Sequence, residues 1–240
     1  MKTDAIIFDK DGTLLDFDAF WVTVTEKTLL EVLERTAMED TCLPALMEAL
    51  GVRNGVTDMD GALCKGTYRE IGHIVYDVLA GHGCAAGKEA VVEAVISGYD
   101  RHAGTGKIRP TCPRLGEVLE GLKAQGKLLA LVTTDNPAIT EKCLKGLGIH
   151  HLFDMIYTDD GSTPTKPDPW CANALCQRFG LQKQRVVMVG DTMTDVRFAR
   201  NAGIAVVGLA RTEKNRAALL PVADGVIDDM TQLQDALDRL

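Results

Sequence analysis

Six side chains in this sequence have the types and spacing to act together on an anion. Asp9 and Asp11 stand two residues apart in Asp9-Lys10-Asp11-Gly12-Thr13, directly after the apolar run Ala5-Ile6-Ile7-Phe8. Thr133 follows the run Leu128-Leu129-Ala130-Leu131-Val132. Asp191 and Asp195 follow Val186-Val187-Met188-Val189, in Gly190-Asp191-Thr192-Met193-Thr194-Asp195. Lys166 lies in Thr165-Lys166-Pro167-Asp168-Pro169, where the prolines stiffen the backbone around it. Four carboxylates brought to one rim would repel one another strongly. A hard cation among them relieves that, and Mg²⁺ favours such oxygen ligands. A lysine and a hydroxyl beside a cation make a receptor for a phosphoryl group.

These residues need elements to position them. The four apolar runs, the fourth being Ile204-Ala205-Val206-Val207, are short and apolar throughout. That is the pattern of strands buried on both faces. Met155-Ile156-Tyr157 and Gly225-Val226-Ile227 are weaker strand candidates. Helical spacing of apolar residues fills 113–125, 138–147, 170–179 and 195–202, each stretch closed by glycine at 126, 148, 180 and 203. Strand and helix alternate from about residue 107 onward, which predicts an α/β fold with a doubly wound parallel sheet. In such sheets ligands bind beyond the carboxyl ends of the strands, where the polar residues above would lie. Residues 16–105 differ. They carry helical patterns at 17–35, 41–50, 67–79 and 88–99, a glycine-rich connector at 51–66, and no convincing strand. The expected organisation is a core of 1–15 plus 106–240 interrupted by a helical domain of 16–105.

The ordered set of Asp9-Lys10-Asp11-Gly12-Thr13, Thr133, Lys166-Pro167 and Gly190-Asp191-Thr192-Met193-Thr194-Asp195 resembles the haloacid dehalogenase superfamily of phosphohydrolases, and is most similar to its phosphoglycolate phosphatase-like branch. The resemblance runs from residue 9 to residue 195, and the insert looks like the helical cap of that family. It implies a Rossmann-like core and Mg²⁺-dependent hydrolysis of a small phosphate monoester. Asp9 would be the nucleophile that forms an aspartyl-phosphate. Asp11 would give a proton to the leaving oxygen and later take one from the attacking water. Thr133 and Lys166 would hold the transferring oxygens, with backbone N–H groups of the Asp11-Gly12 turn as further donors. Asp9, the Asp11 carbonyl and Asp191 would hold Mg²⁺, while Asp195 would ligate through water or position Lys166. Thr134 would also face the phosphate. Thr134 and Asp135 occupy places where close relatives often carry Asn and Lys, a departure at the substrate's distal end. The cap would close over the substrate and open for release.

Two other functions share much of this set. A phosphomutase would use the same Asp9 and Asp11 and differ in retaining its phosphorylated intermediate. A phospho-accepting signalling domain also uses a strand-end aspartate, Mg²⁺, threonine and lysine, but is about half this length and lacks both the insert and GDxxxD. The second DxDG of the chain, Asp58-Met59-Asp60-Gly61, has no preceding apolar run and no following threonine. It reads as a loop of the insert with no catalytic role.

Composition narrows the partners. With 34 acidic and 26 basic side chains in 240 residues, the formal charge is −8, which disfavours a general nucleic-acid binder. Hydrophobic residues at 46% and charged residues at 25% match a globular chain. Seven cysteines with no CxxC spacing read as reduced thiols rather than a disulfide framework or zinc site. No apolar run is long enough to span a membrane. The expectation is a cytoplasmic protein, monomeric or homodimeric, whose partner is a small phosphorylated metabolite.

Overall fold

A computed structural model describes residues 3–240. The chain divides into two compact units, one running through Asp16 and resuming over Ile108–Leu240, the other comprising Phe17–Lys107. In chain order, β1 (Ala5–Phe8) belongs to the first unit.

The second unit is built from helices α1 (Thr23–Arg35), α2 (Leu43–Ala49), α3 (Ala62–Lys65), α4 (Tyr68–Gly81) and α5 (Lys88–His102). It has its own apolar interior. Val24, Leu29, Val32 and Leu33 of α1 are buried, as are Ile71, Val75 and Leu79 of α4 and Val91, Val92, Val95 and Tyr99 of α5. The recurrence at three and four residues places each set on one helix face. Tyr99 stacks on Tyr68 with ring centroids 4.4 Å apart, and its hydroxyl is 2.9 Å from that of Thr25.

Two details correct the sequence reading of this unit. The connector contains an antiparallel pair, β2 (Val52–Arg53) and β3 (Val56–Thr57). Its turn is Asn54-Gly55 with both residues at positive φ, 52° and 76°. An Asn-Gly turn is a strong hairpin signal, hidden here because each strand is two residues long. The single helix expected over 17–35 also opens as a π-helical turn, Asp18–Val22. Asp18 accepts hydrogen bonds from the Thr57 N–H (3.1 Å) and hydroxyl (2.6 Å). Apolar spacing does not distinguish that turn from an α-helix. The Asp58-Asp60 segment forms a turn closed by the Asp60 N–H on the Asp58 carboxylate (3.0 Å), and Asp60 pairs with Lys65.

The first unit continues with β4 (Leu128–Val132), β5 (Met155–Tyr157), β6 (Val186–Gly190), β7 (Ala205–Leu209) and β8 (Gly225–Ile227), so both weaker strand candidates are strands. The helices are α6 (Leu115–Ala124), α7 (Pro137–Gly146), α8 (Trp170–Phe179), α9 (Met193–Ala202), α10 (Glu213–Leu219) and α11 (Leu233–Arg239). The six strands form one parallel sheet in the order β5-β4-β1-β6-β7-β8. Strand alternation divides the core into two layers. Ile6 and Phe8 of β1, Leu129 and Leu131 of β4, and Val187 and Val189 of β6 face the layer closed by α6 and α11. Ala5 and Ile7, Ala130 and Val132, and Val186 and Met188 face the layer of α8 and α9. This is why the runs read as apolar at every position.

The chain leaves β1 towards β4 on one side and later returns to β6 on the other. That reversal makes the carboxyl end of β1 the switch point, where open α/β sheets bind ligands. Phe8 is in register with Leu131 of β4 and Val189 of β6.

Candidate active site

Asp9 continues β1 past Phe8, and its N–H donates to the Val189 carbonyl (2.9 Å). Neighbouring strands lie about 4.8 Å apart, so the residues that follow β1, β4 and β6 are forced together. Asp9, Asp191 and Asp195 each offer a carboxylate oxygen, all within 4.8 Å of one another and all buried. Lys166, also buried, reaches the same point. Its ammonium donates to Asp9 Oδ1 and, at 2.7 Å, to Asp195 Oδ1. The Lys166-Pro167 peptide bond is cis.

Asp195 is held by both ends. Oδ1 takes Lys166, while Oδ2 takes the N–H (3.0 Å) and hydroxyl (2.7 Å) of Thr192, the cap of α9. Capping box and lysine clamp are therefore one device. Asp191 accepts from the Thr13 hydroxyl (3.3 Å), and its carbonyl accepts from the Asn215 side chain (2.8 Å). Thr133, at the end of β4, is buried, with its N–H on the Tyr157 carbonyl (3.0 Å). Its hydroxyl oxygen accepts the Asp135 N–H (3.2 Å). Thr134 is exposed next to it.

Three of the four expected carboxylates thus converge. The fourth, on Asp11, pairs instead with Lys10 (2.6 Å). Side chains alternate along an extended chain, and successive residues 9 and 10 have separate partners. Asp9 meets Lys166 and Asp195, whereas Lys10 lies between Asp11 and Asp135, 2.8 Å from the latter. The Gly12 N–H, expected as a phosphate donor, donates to the Leu15 carbonyl (2.8 Å). Gly12 also provides room. At φ 81° it faces Asp191, whose carboxylate a Cβ there would overlap.

Burial dominates the electrostatics. It pushes Asp9 up to about 7, with Asp195 and Asp11 adding repulsion and Lys166 opposing them. Asp191 is pushed well above the carboxylate range by burial and then by Asp9 and Asp195. Burial alone would lower Lys166, but Asp195 and Asp9 outweigh it and hold the ammonium charged. Three carboxylates and one ammonium leave a formal 1 − 3 = −2 in a desolvated place. An all-oxygen donor set with that deficit fits a hard divalent cation.

Sequence reasoning missed three contributors. Lys10 has no role in the sequence reading, yet its side chain is fully buried between two carboxylates. Asp135 was noted only as a departure at the substrate end. The signal for both was the pattern itself, since a lysine two residues past a buried strand needs a buried partner. Asn215 stands in the first turn of α10, and nothing in its local sequence indicated a contact with Asp191.

The fold is of the α/β class, and the chain belongs to the haloacid dehalogenase-like hydrolase family, whose model matches residues 3–203. Among curated proteins it is 35% identical over 130 residues to a phosphoglycolate phosphatase of Pasteurella multocida, covering 52% of this chain. The chain spans 57% of that relative's length. It is 28% identical over 204 residues to a phosphoglycolate phosphatase of Thiobacillus denitrificans, covering 84% of this chain and 81% of the relative. The fold matches the crystal structure of a predicted phosphoglycolate phosphatase from Haemophilus somnus with a TM-score of 0.71, at 24% identity and 98% coverage of both chains.

Proposed function

We propose that this protein hydrolyses a small phosphate monoester through an aspartyl-phosphate on Asp9. The observation that carries the reading is the buried contact of Asp9 with Lys166 beside Asp191 and Asp195 at the switch point of the sheet. A carboxylate held there has the Lys166 ammonium on one side, and on the other two acidic groups that could hold a divalent cation; positive charge on both sides is what an anionic nucleophile attacking an anionic ester requires.

The chemistry runs in two halves. In the first, an Asp9 carboxylate oxygen bonds to phosphorus as the bond from phosphorus to the ester oxygen breaks. The leaving oxygen keeps the electron pair and takes the Asp11 proton. In the second, a water oxygen bonds to phosphorus while Asp11 takes its proton. The bond to Asp9 breaks, restoring its carboxylate and releasing phosphate. Lys166 and the Thr133 hydroxyl hold the phosphoryl oxygens through both halves, and exposed Thr134 extends that edge. Magnesium, held by Asp9, Asp191 and the Asp11 carbonyl, would supply charge neutralisation and orientation of the phosphoryl group. Asp195, with both oxygens engaged, positions Lys166. The Phe17–Lys107 unit serves as the cap.

The named activity of the relatives makes phosphoglycolate the first substrate to try within a panel of phosphorylated metabolites. Phosphate release is measured with Mg²⁺ and with chelator, for the natural chain and for Asp9→Asn. Release that needs Mg²⁺ and is lost in the folded variant is expected. Equal release by Asp9→Asn, or an isomerised sugar phosphate with no free phosphate, overturns the reading. Without metal, the acidic cluster should also bind the ester poorly, because Lys166 is already engaged by Asp9 and Asp195.

A further inference from the structure

We propose that Asp135 is a positioning residue for the leaving-group step, acting through Lys10 on Asp11. It builds on the reading of Asp9 as nucleophile and Asp11 as acid and base. Lys10 has no solvent-exposed side-chain surface, and its ammonium sits 2.6 Å from Asp11 Oδ2 and 2.8 Å from Asp135 Oδ2. Asp135 is itself fixed at both backbone ends. Its N–H donates to the Thr133 hydroxyl oxygen (3.2 Å), and its carbonyl accepts the Asp159 N–H (2.8 Å). The sequence Thr133–Asp135–Lys10–Asp11 is therefore one connected framework, anchored on the end of β4 and reaching round to the acid.

Two consequences follow from the chemistry of the three groups. An ammonium is only a donor, so Asp11 Oδ2 is the accepting oxygen. The proton that Asp11 delivers then belongs on Oδ1. As the bond from phosphorus to the ester oxygen breaks, the leaving oxygen takes that proton and Asp11 becomes a carboxylate. In the second half the same Oδ1 recovers a proton from the attacking water. Asp135 also holds the ammonium from its other side, so Lys10 stays against Asp11 Oδ2 and the acid keeps one orientation.

The experiment compares two esters on the full chain with Mg²⁺. In an alkyl phosphate the leaving oxygen needs a proton. In p-nitrophenyl phosphate it does not. Asp135→Ala should lower kcat/KM for the alkyl ester by about 30-fold, and for the aryl ester by less than about 3-fold. Asp135→Asn, which keeps an acceptor for Lys10 but not its charge, should show the same split and serves if the alanine variant does not fold. Equal losses on both esters, or no loss, overturn the inference, because a merely structural role does not sense the leaving group. The two readings fail separately. Activity retained by Asp9→Asn removes the nucleophile. An inactive Asp9→Asn and an Asp11→Asn with the alkyl–aryl split, beside Asp135 variants without it, remove only Asp135.

Discussion

At the scale of single residues, the site depends on what is missing as much as on what is present. Gly12 has no Cβ, and the Asp191 carboxylate occupies the space where one would be. Gly126 shares the same left-handed backbone, φ 76° against 81°, but nothing lies within 4 Å of its missing Cβ. The pair therefore separates strain from crowding. Alanine at either position costs about 1–2 kcal/mol for the backbone. Only Gly12→Ala displaces Asp191, and we expect its Mg²⁺ affinity by calorimetry to fall about 10-fold or more. Gly126→Ala should melt earlier yet bind Mg²⁺ as the natural chain does. Equal Mg²⁺ affinity in both variants would remove Asp191 from the metal site.

At the scale of elements, four of the site residues sit where a strand ends or a helix begins. β1 delivers Asp9, β4 delivers Thr133, β6 delivers Asp191, and the first turn of α9 delivers Asp195. The last of these ties stability to chemistry, since the Thr192 cap also grips the residue that aims Lys166. Thr192→Ala loses a helix cap worth about 1 kcal/mol, or a Tm drop of about 2–4 °C in a chain of this size. It also removes one of the two donors on Asp195 Oδ2, leaving the Thr192 backbone N–H. Phosphate release should slow by about 3- to 10-fold. A Tm drop with unchanged turnover would show that Lys166 is aimed without the cap. The elements themselves were legible where their patterns were long. The runs of β1 and β4 and the stripe of α8 stand in the structure as read, and β6 runs one residue further, to Gly190. The β2–β3 pair was not legible, because two-residue strands carry almost no periodicity.

At the scale of the whole molecule, the acidic balance of −8 takes a specific form. Part of it is concentrated in a buried cluster that holds protons unless a cation replaces them. Below about pH 4, folded and unfolded chains both hold the protons of Asp9 and Asp191. As pH rises towards about 7, the unfolded chain has released protons that the folded chain still keeps at Asp9. The contribution of this cluster to stability is thus largest at low pH and is lost as pH rises through that window. A divalent cation competes with those protons and binds the folded state. Mg²⁺ should therefore raise Tm more at about pH 8 than at about pH 5. Thermal melting with Mg²⁺ and with chelator at each pH measures this. An equal rise at both would show that the cation binds away from the cluster.

The sequence by itself determined the family, the alternating core and the residues that gather at the strand ends. Each of these is a local matter, since a buried parallel strand must be apolar throughout and its polar functional residue must come directly after it. Lys166 was legible from its prolines for the same reason. The tertiary structure alone decided how the charges pair. Asp9 and Lys10 are adjacent in the chain, yet their partners come from opposite directions, Lys166 and Asp195 for one, Asp135 for the other. Pairing of buried charges depends on which distant segments the strand order brings to each face, and that order, with β1 set between β4 and β6, is a property of the folded sheet.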